Sequence, residues 1–527
     1  MKKYLALVLS LVMVLALALP AQAAVTEKGV LPIVDEPITL TVAFPVNAKV
    51  EDMSTNELTL WYEEQTGIQL EFVELSTEDT ATQVNMLMNS GDLPDIILGY
   101  NFPYDVLCGY ADAGLIVPLD EQYEKYSYYI DSALIPAMGE NTLGYVTYDD
   151  QKWAVPSGGG LITNIYGSTY NRIQTQFLEA LGMEMPRTID ELYNFLVGVR
   201  DNDVNGNGDP SDEIPLTTFA KNNYIFQMLS NAWQFTDTDN YLKVTDGKVG
   251  FIANNEYFKE TLEFMKKLVD EKLLDPASFT QDESVMATLL AQDGNNVGIY
   301  GCGNMYTNSM DSTGDEYQGM RCMPNLEGPH GYKSSMYSPA KVRISGVVTA
   351  DCENVDAAFR FLDFCLSPEA GMATRVGFEG KEWAKATEGM IGRDGKPALF
   401  YLLTTQEWVQ PSTNVIWDSE SFIVSSVMNG CEATATATKY PTSYDIVEWK
   451  YEEENTYEKL PQLLMSAEDS SEYEELRIMI KETVDEAIAT FVLGDRDLAE
   501  FDDYCAELES MGLERYIEMA QEAVDAL

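Results

Sequence analysis

The chain has 527 residues, 45% of them hydrophobic and 11% aromatic, enough apolar material for more than one folded domain and too much for a disordered polymer. Its 33 Lys and Arg stand against 86 Asp and Glu, a formal net charge of −53. A field of that sign repels phosphate backbones and anionic lipid surfaces, which excludes nucleic acid as a partner and disfavours direct membrane binding. The single histidine, His330, falls in the turn-like stretch Gly328–Gly331, where a solvated ring is the ordinary outcome. One histidine leaves no His-rich zinc site and only one candidate base for a Ser-His-Asp triad.

Met1-Lys2-Lys3 is a short basic start, Leu5 to Leu19 is almost wholly apolar, and Ala21-Gln22-Ala23 supplies small residues for cleavage. Residues 1–23 therefore read as a secretory signal peptide. The apolar run is short for a membrane span, and no later stretch reaches the length a bilayer needs. No cysteine adjoins the cleavage site to carry a lipid, so the expected location is extracellular, envelope-associated or periplasmic. The seven cysteines are odd in number and form no CxxC pair. Most read as buried small hydrophobes, with one or two bridges left open.

After the signal, strand-like alternation at Ile38–Phe44 is followed by a helix over Leu58–Gln65, a strand over Ile68–Leu75, a helix ending at Met88 and a short apolar strand at Asp95–Leu98. Strands alternating with helices predict an α/β sheet with crossover connections. Leu115–Leu119 and Trp153–Pro156 read as further strands, the second running into Ser157-Gly158-Gly159-Gly160, a tetrapeptide suited to a hinge or a ligand-facing loop. Thr188 with Glu191 three residues on predicts a capping box for a helix over Ile189–Val199. A helical stretch at Tyr257–Leu274, strands at Val297–Tyr300 and Val342–Val348, and a helix at Val355–Leu366 follow. Three apolar stripes then mark C-terminal helices, beginning with Leu476, Ile480, Val484, Ile488 and Phe491 before Gly494.

The sharpest motif is acidic. Residues 201–213 read Asp-Asn-Asp-Val-Asn-Gly-Asn-Gly-Asp-Pro-Ser-Asp-Glu, with oxygen-bearing side chains at every second position. Calcium takes about 6–8 oxygens, and a tight loop with donors at i, i+2 and i+4 supplies them. Two registers are open. One starts at Asp201 and reaches Asp212 at the twelfth place; the other uses Asp203, Asn205, Asn207, the Asp209 carbonyl, and the Asp212-Glu213 pair. A structural Ca2+ is predicted in either case, since no nucleophile or hydrolytic partner set lies nearby.

These segments together resemble the extracellular solute-binding proteins (family 1) of bacterial ABC sugar importers, in particular the large branch containing alginate-oligosaccharide-binding proteins. The resemblance is carried by Asn56–Gly67, Ser90–Ile97, Leu181–Leu216, Gly346–Trp383 and Met511–Val524, in the family's order. It favours the calcium register starting at Asp203, although one extra residue precedes Asp212 here. It implies an α/β, two-lobed periplasmic-binding-protein type II fold with hinge crossovers and a helical C-terminus. By analogy lobe 1 holds 24–157 and 338–380, and lobe 2 holds 158–337 and 381–527. Such a protein closes two lobes on its ligand and presents the closed form to membrane permease subunits. A monomer with a saccharide or other polar solute as ligand, and no enzymatic activity, is the implied reading.

Sugars are held by aromatic faces and planar polar groups. The cleft candidates are Tyr100 and Asn101 after a strand, Ser157 and Gly158 at the first crossover, Trp233, Asn304 and Tyr306 after the strand at Val297–Tyr300, Trp383 and Trp417. Ordinary core packing competes with cleft duty at every aromatic among them. Two other classes stay in view: a secreted glycoside hydrolase, revealed by release of reducing sugar, and a calcium-dependent surface-binding protein, revealed by binding without small-ligand affinity.

Overall fold

Alternation in Ile38–Val46 sends Leu40, Val42 and Phe44 to one side of a sheet and Ala43 to the other, and all four are buried. Burial on both faces is the mark of a parallel sheet covered by helices on each side. That sheet runs in the order Ile68–Ser76, Ile38–Val46, Ile96–Leu98, Lys341–Val348, Val155–Gly159. The first three strands pair in parallel, and Lys341–Val348 lies antiparallel to both its neighbours. A second sheet runs Met320–Cys322, Tyr170–Gln174, Val297–Cys302, Ile214–Thr217, the last two strands in parallel. In this computed structural model the described residues are 24–48, 50–159, 170–220, 223–290, 296–302, 320–334, 341–390, 400–403, 414–417 and 458–527. The predicted signal peptide, Asn304 and Tyr306 lie outside them.

Each sheet has its own core. Around the first, Ile33, Leu58, Tyr62, Phe359, Phe361 and Phe364 pack from helices and the N-terminal segment. Around the second, Phe195, Leu262, Met265, Val484, Ile488, Phe491 and Tyr516 do so. The predicted capping box is present, with Thr188 Oγ1 accepting from Glu191 N–H and the Glu191 carboxylate accepting from Thr188 N–H. It starts the helix Ile189–Asp201, which leads directly into the acidic loop. The C-terminal stripes fold as helices Ala467–Leu493, Phe501–Ser510 and Leu513–Asp525, with Ile480, Val484, Ile488 and Phe491 buried as one seam. Among the described residues no helix is long and apolar enough to cross a membrane.

Three sequence expectations change. Leu115–Leu119 makes only a single bridge, Ile116 with Thr349, because the stretch passes the sheet end instead of running along it. Ser157 and Gly158 are buried strand residues rather than a flexible hinge: Ser157 Oγ lies 2.7 Å from Ser345 Oγ across the ladder. Gly158 lies close against Met138: a Cβ there would stand 2.8 Å from Met138 Sδ, so that side chain would have to shift. The third concerns the segment after residue 380. Trp417, expected with the second lobe, lies in the core of the first sheet, 5.0 Å from Phe44 and 5.1 Å from Tyr62 between ring centres.

Of the cysteines, Cys108, Cys352 and Cys365 are buried free thiols and Cys505 is a half-buried one. Burial pushes Cys352 and Cys365 up to about 12, which keeps both as inert packing groups.

Candidate functional site

In α/β sheets ligands meet the carboxyl ends of parallel strands. Tyr100 and Asn101 sit just past the end of Ile96–Leu98 and remain open to solvent, Tyr100 partly and Asn101 largely. Asn101 Oδ1 accepts from Ile344 N–H, which ties the loop to the central strand, and Tyr100 stands edge-on to Phe102 at 4.8 Å. Partial burial raises the Tyr100 hydroxyl above its ordinary value, so it stays a neutral donor.

The aromatic candidates divide differently. Trp233 is 4% exposed, donates its indole N–H to Glu260 Oε2 at 3.0 Å, and packs on Phe264. It is a core residue of the second sheet. Trp417 is 1% exposed and donates to Thr59 Oγ1 at 2.9 Å, so it presents no face to a ligand. Trp383 is half-buried in the hairpin formed with Phe400–Leu402, its indole N–H held by the Gly377 carbonyl. His330 is also engaged: its Nε2 lies 2.7 Å from the same Glu260 carboxylate. Tyr100 and Asn101 are thus the described candidates that combine accessibility with a strand-end position.

Sequence reading missed one segment that bridges the two halves. Val244 N–H donates to the Glu458 carbonyl, and Lys459 forms an ion pair with Asp237 at 3.1 Å, both side chains almost fully buried. Three residues on, Gln462 turns to the first sheet. Its side chain accepts from Val342 N–H at 2.7 Å and donates to the Val342 carbonyl at 2.8 Å, like a neighbouring strand. Its own carbonyl accepts from Tyr145 Oη. Leu460, Leu463 and Met465 meanwhile pack on the second core. One short strap therefore grips both bodies, and no motif in the sequence marks it.

The acidic loop sits between the helix Ile189–Asp201 and the strand Ile214–Thr217. Asp201 is turned out, with both carboxylate oxygens bound by Arg200, which lowers its pKa. Asp203 Oδ2 accepts from Gly208 N–H, Asn205 Oδ1 from Asn207 N–H, and Asn207 Oδ1 from Asp209 N–H, with Gly206 and Gly208 at φ 73° and 93° making the turns. Asp209 Oδ1 accepts from both the N–H and the hydroxyl of Ser211, which lowers the Asp209 pKa. Glu213 Oε1 accepts from Val204 and Asn205 N–H. Asp212 Oδ1 and Glu213 Oε2 are buried without a hydrogen-bond partner, and burial raises the Glu213 pKa. Two buried carboxylate oxygens without donors fit a cation better than any protein group present. Among the described residues no three Asp, Glu, His or Cys side chains already converge as a metal cage.

Two α/β bodies joined by a shared strap, with accessible polar residues at a strand end, define a two-lobed solute-binding fold. A profile of bacterial extracellular solute-binding proteins matches residues 45–372, and the chain belongs to that family. It is 24% identical over 505 residues to the fructooligosaccharide ABC transporter substrate-binding protein FusA of Streptococcus pneumoniae, across 92% of this chain and 89% of that protein. The structure of a FusA EF-hand mutant in complex with fructo-nystose is similar at a TM-score of 0.75 and 21% identity, covering 93% of this chain and 99% of that one. An extracellular solute-binding protein from Bifidobacterium longum subsp. infantis gives a TM-score of 0.75 at 19% identity over 93% of this chain and 98% of its own. The alginate-binding protein AlgQ2 without calcium ion gives 0.66 at 19% identity, with the same coverage.

Proposed function

We propose that this chain is the exported capture subunit of an ABC importer, taking an oligosaccharide between its two bodies and handing it to a membrane permease. The observation that carries the reading is the alignment with a fructooligosaccharide-binding relative over 92% of this chain. The residue evidence agrees with capture by contact: Tyr100 and Asn101 offer a phenol and an amide at a strand end, suited to sugar C–H faces and hydroxyls. Ligand that touches both bodies favours the closed arrangement, and the strap at Glu458–Gln462 is where the two would pivot. Calorimetric titration of the mature protein with fructo-, galacturono- and alginate oligosaccharides tests this. Saturable binding of one class is expected; release of reducing sugar, or no heat with any polar solute, would overturn it.

The reading includes a structural Ca2+ in the 203–213 loop. Asp203, Asn205, Asn207, the Asp209 carbonyl, Asp212 and Glu213 would hold it, and the ion would supply only the positive charge that the two donorless carboxylate oxygens lack. A relative whose structure was determined as an EF-hand mutant, and another determined without calcium, support this. An ion bound by the folded loop and not by the unfolded chain stabilises the fold by mass action. Chelation is expected to lower the melting temperature by roughly 5 °C or more, and added calcium to restore it. Identical melting curves with chelator and with calcium would remove the ion from the account.

A further inference from the structure

Outside the loop, one side chain touches two of its expected ligands. Asn296, the residue before the strand Val297–Cys302, donates from Nδ2 to Asp212 Oδ2 at 3.1 Å and accepts at Oδ1 from Asn205 Nδ2 at 3.4 Å. Its backbone carbonyl accepts from Ile214 N–H, where the loop re-enters the sheet. Asn207 Nδ2 also donates to Asp212 Oδ2, but Asn207 is itself an expected ligand and must reorient when its oxygen turns to an ion. Asn296 carries no charge, is not among the expected ligands, and is fixed to the sheet edge through its backbone carbonyl.

We infer that Asn296 is a positioning residue for the cation: it orients Asp212 and Asn205 with the two ends of one amide and fastens the loop to the second sheet. The inference rests on the calcium reading above. By holding Asp212 through Oδ2 it leaves Oδ1, the oxygen without a donor, for the ion. By engaging the Asn205 amide nitrogen it fixes which end of that amide is available. Groups that orient a ligand in this way typically contribute about 10–100-fold to metal affinity.

The test is calcium titration of the full mature chain, stripped with chelator, at 25 °C. Asn296→Ala and Asn296→Ser are compared with wild type, and calcium-free melting curves are recorded alongside; the serine variant serves if alanine impairs folding. Affinity is expected to fall about tenfold or more in either folded variant. A residue that only supports the fold would lower the calcium-free melting point and leave the affinity of the folded protein unchanged. Wild-type binding matched within twofold by a folded variant would overturn the inference alone. Failure of the wild type to bind calcium would overturn the calcium reading and this inference with it.

Discussion

Lys459→Met is expected to destabilise the protein by about 3–5 kcal/mol, the usual cost of removing one partner from a buried ion pair. Lys459 is 6% exposed and Asp237 3%, and they stand 3.1 Å apart. Without the ammonium, Asp237 Oδ2 loses its counter-charge, and the neutral Asp239 N–H at 3.1 Å on Oδ1 does not replace it. The same turn carries Tyr241, a fully buried side chain held at φ 55° by contacts on both sides, its N–H bonded to the Asp237 carbonyl and its hydroxyl to Asp485. A non-glycine residue in that backbone region persists only where its surroundings over-determine it, so loosening Asp237 should spread. The double variant Lys459→Met with Asp237→Leu removes both charges and should recover much of the loss. Denaturant unfolding measures it; a single variant that unfolds at the wild-type midpoint would show that the pair contributes nothing.

The second large effect concerns Trp417. Its indole is packed among Phe44, Tyr62 and Phe72 with ring centres 5.0–5.5 Å away, and its N–H is bonded to Thr59. Trp417→Ala is expected to cost about 3–5 kcal/mol through lost burial and the cavity left behind. Trp417→Phe keeps most of the volume and should recover a substantial part, while leaving ligand affinity unchanged. A phenylalanine variant of wild-type stability that had lost its ligand would instead return Trp417 to the cleft.

These two residues also mark where sequence reading stops. Trp417 reads as a cleft candidate from its place beyond the predicted lobe boundary at 380, and no periodic neighbours reveal its core position. Its partners come from a strand and a helix more than 340 residues earlier in the sequence, Phe44 and Tyr62 among them. Trp233 misled in a similar way: Glu260, whose carboxylate accepts its indole N–H, lies on the helix Glu256–Asp270. The Lys459–Asp237 pair and the Gln462 grip on Val342 likewise join segments more than 100 residues apart, and neither leaves a local signature. Gly158 looked flexible because glycine usually is; here the missing side chain makes room for Met138.

What was legible is local or repeated. The capping box at Thr188 and Glu191, the C-terminal apolar seam and the alternation in Ile38–Phe44 all involve residues within a few positions of one another, and all fold as read. The acidic motif is local too, since its oxygen-bearing side chains come from consecutive turns of one short stretch. Even there tertiary contacts bear on the register, because Arg200 draws Asp201 away and Asn296 reaches Asp212 from beside a distant strand. The family and its two-lobed architecture were within reach of the sequence because they rest on an ordered set of local patterns. Which side chains face solvent at the strand ends was settled only by long-range packing, in which burial depends on contacts between segments whose separation along the chain carries no pattern.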